Sequence, residues 1–121
     1  MNDEKTEKQS LIDIPSALER IGGDSSFLDE LLELYQSDFM EKFGLLRQAL
    51  EEKNFLSIHE IGHGLKGASA NLSLLDLQRI SYNLELAGRE KNLTLAEQSL
   101  RDLEEGFRNL KSFLAQRKSG I

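Results

Sequence analysis

Apolar residues recur every three or four positions along almost the whole chain, and this spacing limits the folds open to it. The longest run extends from Leu28 to Leu50, and a second regular run extends from Ala96 to Leu114. The alternation of apolar and polar residues that is typical of half-buried strands does not occur. The spacing therefore predicts an all-α protein.

Helix-capping and helix-breaking residues divide the sequence into five predicted helices. A short first helix is expected after Asp13, with Pro15 in its first turn and Gly22 and Gly23 at its end. The capping residues and the apolar runs predict that the four longer helices begin near Asp24, at about Phe55, at a Ser73 cap and at a Thr94 cap.

Links of only a few residues favour antiparallel neighbours. We therefore expect an up-down antiparallel four-helix bundle with a short additional N-terminal helix. The 121 residues suit one domain, which we place at residues 11–118. Residues 1–10 are charged and polar and are expected to form a disordered tail.

Charge and composition exclude several classes of function. The net charge of −6 and the sequence pI of about 5.0 argue against general binding to nucleic acid or to anionic membranes. The absence of cysteine excludes disulfides and thiolate metal sites. The polar N-terminus does not resemble a signal peptide, and no apolar run approaches the roughly 20 residues of a membrane span. We expect a cytoplasmic monomer.

Residues 59–70 contain both histidines of the chain and three of its nine glycines. Three glycines in a helix cost about 2–3 kcal/mol, which indicates either close helix packing or close approach by another molecule. At about 100° per residue, His63 faces away from the core, with His59, Lys66 and Gly67 on its side of the helix. The predicted core stripe on the opposite side consists of Ile58, Ile61, Leu65, Ala68 and Leu72.

The same stretch matches the H-E-x-x-H pattern of zinc peptidases, with His59 and His63 as the paired ligands. Zinc needs a third protein ligand, and the chain has no further histidine or cysteine. A carboxylate such as Glu85 would have to supply it, and Lys66 would place a positive charge beside the metal. An all-helical chain of this size also lacks an edge strand that could hold an extended peptide, so no metal site is predicted.

The segment from His63 to Ser69, His-Gly-Leu-Lys-Gly-Ala-Ser, resembles the H-x-L-K-G-[AS]-[AS] motif of histidine phosphotransfer (HPt) domains. The resemblance covers roughly residues 11–118. Ser73 is a departure, because the family usually has glycine at this position, and it puts the turn geometry there in question. Further similar features are the D-x-x-x-A-L-x-R-I-G-G-D segment from Asp13 to Asp24, Leu72 with a small residue after it, Leu84-Glu85 and Arg89.

The resemblance implies a phosphocarrier of a two-component phosphorelay. His63 would take a phosphoryl group from the phospho-aspartate of one receiver domain and pass it to another. Lys66 would stabilise the phosphoryl oxygens, and Gly67 would leave room for the receiver. The receiver would supply the metal ion, so no cofactor is expected, and no nucleotide-binding loop supports autonomous kinase activity. The single domain and short tail favour a free-standing shuttle.

The surface that meets the receiver is harder to predict, because its residues lie on several helices. An alternative of another class is a helical protein that docks on a receiver or kinase without carrying phosphate, but such a protein would be expected to lack His63. The residues that we expect to contact the receiver are Leu56, His59, Gly64, Arg89, Ile14 and Leu18.

Overall fold

The computed structural model describes residues 11–118, and this part of the chain forms five helices without strands. Helices α2 to α5 form the up-down bundle, and the shorter α1 adds to it at the N-terminal end, which confirms the predicted all-α fold. The predicted polar tail, residues 1–10, lies outside the described residues. The helices are α1 (Ile14–Ile21), α2 (Ser25–Glu51), α3 (Phe55–Asn71), α4 (Leu75–Glu90) and α5 (Leu93–Lys118).

Three helices begin where the sequence predicts, and each has a side-chain cap. The Asp13 carboxylate accepts a hydrogen bond from the Ser16 amide at 3.2 Å, and Asp24 and Asn54 cap α2 and α3 in the same way. These side chains satisfy amides that have no partner inside the helix. Helix α1 ends at Gly22, whose φ of 94° lies in the left-handed region that glycine adopts without strain.

The two remaining cap predictions are wrong. Helix α4 begins after Leu74 without a side-chain cap, because Ser73 is in the left-handed region (φ 54°) and its hydroxyl donates to Ser16 Oγ at 3.1 Å. Helix α5 begins one residue before Thr94, because the Asn92 side chain already accepts from the Leu95 amide. Helix α4 thus begins one residue later than the capping pattern predicted, and α5 begins earlier.

The buried stripe of α3 is rotated from its predicted position. Ile58, Leu65 and Leu72 are buried as expected, but Ile61 and Ala68 are only half-buried. Gly62 and Ser69 are buried in addition. The rotation has two causes: α4 packs closely against Gly62, and the Ser69 hydroxyl shares a buried 2.8 Å hydrogen bond with Tyr35 of α2.

Lys91→Gly is expected to stabilise the protein by about 1 kcal/mol, because Lys91 has a left-handed φ of 55° at the end of α4. Its side chain is exposed, so little contact is lost. Chemical denaturation followed by circular dichroism measures the change. Gly22→Ala is the opposite change: it places a side chain at a left-handed position (φ 94°) and should destabilise the protein. Equal stability of all three proteins would contradict the expectation.

Candidate functional site

Helices α3 and α4 approach each other closely at two glycines. A Cβ atom at Gly62 would lie 2.6 Å from the backbone nitrogen of Glu85, and one at Gly88 would collide with the backbone nitrogen of His59. Only glycine allows this distance between the two backbones. The contact fixes the register of the two helices and brings Glu85 against the histidine face of α3.

The other two glycines of the stretch have open surroundings. No atom lies within 4 Å of a Cβ placed at Gly67, and at Gly64 only the Lys42 ammonium does, at 3.9 Å. Both explanations for the glycine-rich stretch therefore apply, at different positions. Gly62 serves close helix packing, whereas Gly64 and Gly67 keep the surface beside His63 low.

The Glu85 carboxylate connects the two predicted functional side chains. Its Oε2 lies 3.2 Å from His63 Nδ1, and its Oε1 lies 2.6 Å from Lys66 Nζ. The Glu85 side chain is only 10% exposed, while that of His63 is 69% exposed. One buried carboxylate thus holds an exposed imidazole and an ammonium group side by side.

The charge state of Glu85 determines the tautomer of His63. The ion pair with Lys66, together with the His63 hydrogen bond, holds the pKa of Glu85 below its usual range, although burial acts in the opposite direction. Glu85 is therefore a carboxylate at neutral pH and can only accept hydrogen bonds. Nδ1 of His63 must then carry the proton, which leaves the lone pair on Nε2, on the exposed side of the ring.

His59 and Tyr82 border the same site. The half-buried His59 ring contacts the backbone carbonyl oxygen of Glu85 through Nδ1 at 3.2 Å. The Lys66 ammonium lies over the Tyr82 ring, 5.4 Å from its centroid. His59 is therefore a hydrogen-bond partner of the Glu85 backbone, and Tyr82 helps to position Lys66.

The residues predicted to dock a receiver differ in how far their side chains are exposed. Leu56 is 69% exposed, and Gly64 lies next to His63 with Lys42 of α2 beside it. Arg89 is exposed and makes no ion pair within residues 11–118. Ile14 and Leu18 are partly buried and pack against the core, so they present less surface than the prediction assumed.

Sequence reasoning did not assign a role to Glu85, the residue that organises the site. Glu85 lies 22 positions from His63 and on another helix. The sequence feature that could have indicated its role is the pair Gly62 and Gly88, which sets the register of α3 against α4.

The arrangement does not favour the zinc peptidase alternative. Glu85, the carboxylate that would be the third ligand, is paired with Lys66. Within residues 11–118 no three histidine, cysteine, aspartate or glutamate residues are grouped so that they could hold a metal ion. In the same part of the chain, no helix is long and apolar enough to cross a membrane.

A helical bundle that exposes one imidazole, backed by a carboxylate and an ammonium group, has the features of a phosphotransfer protein. The family model of the Hpt domain matches residues 30–113. The chain therefore belongs to the Hpt domain family, and its role is phosphoryl transfer in a phosphorelay. No curated protein shows significant sequence similarity to the chain.

Two solved structures share the fold. Histidine-containing phosphotransfer protein B from Pseudomonas aeruginosa is 20% identical with a TM-score of 0.82, and the match covers 92% of this chain and 96% of that one. The HPT domain from a sensor hybrid histidine kinase of Shewanella is 18% identical with a TM-score of 0.77, covering 93% of this chain and 97% of that one. Both similarities extend over almost the complete chains.

Glu85→Gln is expected to flatten the pH dependence of stability in acid. The unfolded chain has a glutamate pKa of about 4.3, and the folded pKa is lower. Between these two values the unfolded chain binds more protons, so stability rises with pH. The contribution of the Glu85 carboxylate to the free energy of unfolding is complete above about pH 5. It is lost as the pH falls through the pKa of Glu85 in the folded protein.

Urea unfolding at a series of pH values, followed by circular dichroism, measures this effect. Glu60→Gln removes an exposed carboxylate from α3 and is the matched control, which should change the profile little. If wild type and Glu85→Gln lost stability in parallel on acidification, the lowered pKa of Glu85 would be contradicted.

Proposed function

We propose that Nε2 of His63 accepts a phosphoryl group from the phospho-aspartate of a receiver domain and later passes it to the aspartate of another receiver. One observation carries the proposal. His63 is the exposed imidazole whose Nδ1 is held by a buried carboxylate, so its nucleophilic nitrogen is directed to the exposed side.

The transfer step follows from this tautomer. The Nε2 lone pair attacks the phosphorus, an N–P bond forms, and the bond between phosphorus and the aspartate oxygen breaks as the carboxylate leaves. Nδ1 keeps its proton, so the phosphorylated ring carries a positive charge. The Glu85 carboxylate, 3.2 Å from Nδ1, stabilises that charge without taking part in bond formation. Return of the phosphoryl group reverses the same steps.

Lys66 supplies positive charge for the phosphoryl oxygens in this proposal. It lies one turn after His63, and its ion pair with Glu85 keeps the ammonium beside the imidazole. A phosphoryl group on Nε2 is anionic and would attract the same ammonium. Phosphoryl transfer depends on charge stabilisation of this kind. Gly67 leaves the opposite flank of the ring open to the receiver.

The proposed partners are receiver domains of response regulators and of hybrid histidine kinases. The protein would act as a cytoplasmic monomer and would carry phosphate without kinase activity of its own. The extent of the domain, residues 11–118, and the docking residues Leu56, His59, Gly64 and Arg89 belong to the same proposal. Ile14 and Leu18 would contribute at most a minor part, because they pack against the core.

Incubation with a panel of phosphorylated receiver domains tests the proposal. We expect at least one receiver to transfer its label to the protein. The label should be lost in acid and stable in base, as expected for a phosphoramidate, and mass spectrometry under basic conditions should place it on His63. An acid-stable label, or acceptance from none of the receivers, would contradict the proposal. Absence of a label combined with tight receiver binding would favour the docking alternative.

Gly67→Gln and Lys66→Ala are expected to slow transfer by about tenfold or more. Gly67→Gln should change the melting temperature little, whereas Lys66→Ala should lower it, because it leaves the nearly buried Glu85 carboxylate without its ion pair. The glutamine would stand beside the imidazole where the receiver approaches, and the alanine removes the ammonium. Gly44→Gln, at an equally open glycine on α2, and Lys111→Ala on α5 are the matched controls. Rapid-quench kinetics with one phosphorylated receiver provides the rates. Unchanged rates in both site variants would remove Lys66 and Gly67 from the proposed site.

A further inference from the structure

His59 and His63 share one more property that phosphoryl transfer does not require. They are one helical turn apart, so their side chains lie on the same face of α3. Each ring makes one contact through Nδ1, and both contacts are to Glu85. His59 contacts the backbone carbonyl oxygen and His63 contacts the carboxylate, each at 3.2 Å.

These contacts fix the tautomers of both rings. A carbonyl oxygen and a carboxylate can only accept, so each Nδ1 carries the proton and each Nε2 carries a lone pair. Neither Nε2 makes a hydrogen bond within residues 11–118. Histidines that bind metal ions are usually held in this way, with the second ring nitrogen donating to a carboxylate or a backbone carbonyl.

We propose that Nε2 of His59 and Nε2 of His63 together bind one divalent transition-metal ion, with water completing its coordination. Imidazole nitrogens suit Zn²⁺, Ni²⁺ and Cu²⁺, and Cu²⁺ should bind most tightly of the three. The positive charge of Lys66 does not oppose binding strongly, because Glu85 is paired with it at 2.6 Å. Two protein ligands make this an exchangeable inhibitory site and not a catalytic zinc centre.

The consequence for transfer rests on the proposed function. A metal ion on Nε2 of His63 occupies the lone pair that would attack phosphorus, so metal and phosphoryl group exclude each other. The inferred site would therefore make phosphate acceptance sensitive to free transition-metal ions. His59 would be a metal ligand without forming a bond to phosphorus, which separates its role from that of His63.

Titration of the unphosphorylated protein with Cu²⁺, followed by calorimetry, tests the site itself. The wild type should bind one ion. Both His59→Gln and His63→Gln should weaken binding by more than the roughly 10–100-fold that loss of an outer-shell partner costs. The double variant gives the background from the backbone and the carboxylates. Wild-type affinity in either single variant would overturn the two-histidine site.

Phosphate acceptance from one phosphorylated receiver, measured with Cu²⁺ and with a chelator, tests the consequence. Acceptance by wild type should fall in Cu²⁺ and recover with the chelator. The ratio of the two rates should stay near one in His59→Gln, whatever the basal rate of that variant. Equal inhibition of the two proteins would place the effect on the receiver and overturn the proposed block. If wild type accepted no phosphate even with the chelator, the proposed function would fail, while the calorimetric result would stand independently.

Discussion

His63→Gln should abolish phosphate acceptance completely, and His59→Gln should keep most of it. Glutamine has no nucleophilic nitrogen, so no phosphoramidate can form at position 63. His59 differs in position: its ring is half-buried and contacts the backbone of Glu85, and it is about two turns away from Lys66 and the open flank at Gly67. Radiolabel transferred from a phosphorylated receiver, counted after separation under basic conditions, measures both effects.

The fold should survive the His63 substitution. The side chain is 69% exposed, and its removal leaves Glu85 paired with Lys66. Far-ultraviolet circular dichroism and the melting temperature of both variants should therefore stay close to the wild type. If the label persisted in His63→Gln and disappeared in His59→Gln, the phosphate acceptor would be His59, and the assignment of Nε2 of His63 would be wrong.

The part of the site that lies on one helix could be predicted from the sequence. The relative positions of His63, Lys66 and Gly67 depend only on helix geometry, and the structure places all three on the side of α3 away from the core. The five helices followed from the spacing of apolar residues, because that spacing reflects the burial of one helix face. Both kinds of prediction depend on the local sequence.

The contribution of Glu85 could not be predicted in the same way, because it depends on the packing of α3 on α4. The register of that contact is set by Gly62 and Gly88. No short-range sequence pattern indicates which residue of another helix will pack against a given glycine. The misplaced stripe on α3 has the same origin. An ideal helix wheel put Ile61 in the core, but the close approach of α4 rotates Gly62 inward.

The two wrong caps also show where local rules end. Ser73 and Thr94 have capping side chains, yet neither caps its helix: α4 begins later, at Leu75, and α5 already begins at Leu93 with Asn92 as the cap. Ser73 takes a left-handed conformation to make the turn and pairs with Ser16 of α1. A residue of strong capping preference thus serves the tertiary contact, because the chain must reverse within a few residues.

Gly62→Ala should destabilise the protein by about 2 kcal/mol, and Gly67→Ala on the same helix should stabilise it by up to about 1 kcal/mol. Both substitutions gain helix propensity. At Gly62 the new methyl group would lie 2.6 Å from the Glu85 backbone nitrogen, and a backbone cannot turn aside as a flexible side chain can. The two helices must separate, and the cost of overpacking exceeds the gain in propensity.

Separation of α3 and α4 should also impair transfer, because it moves Glu85 away from His63 and Lys66. Urea denaturation gives the free energy of unfolding for the two alanine variants, and single-turnover transfer at a temperature where both are folded gives the rates. Gly62→Ala should be both less stable and slower, because one contact sets the helix packing and the position of the carboxylate. If Gly62→Ala were as stable as Gly67→Ala, the close helix contact would be disproved. If it were less stable but transferred phosphate at the wild-type rate, Glu85 would be a structural residue and the tautomer of His63 would not depend on it.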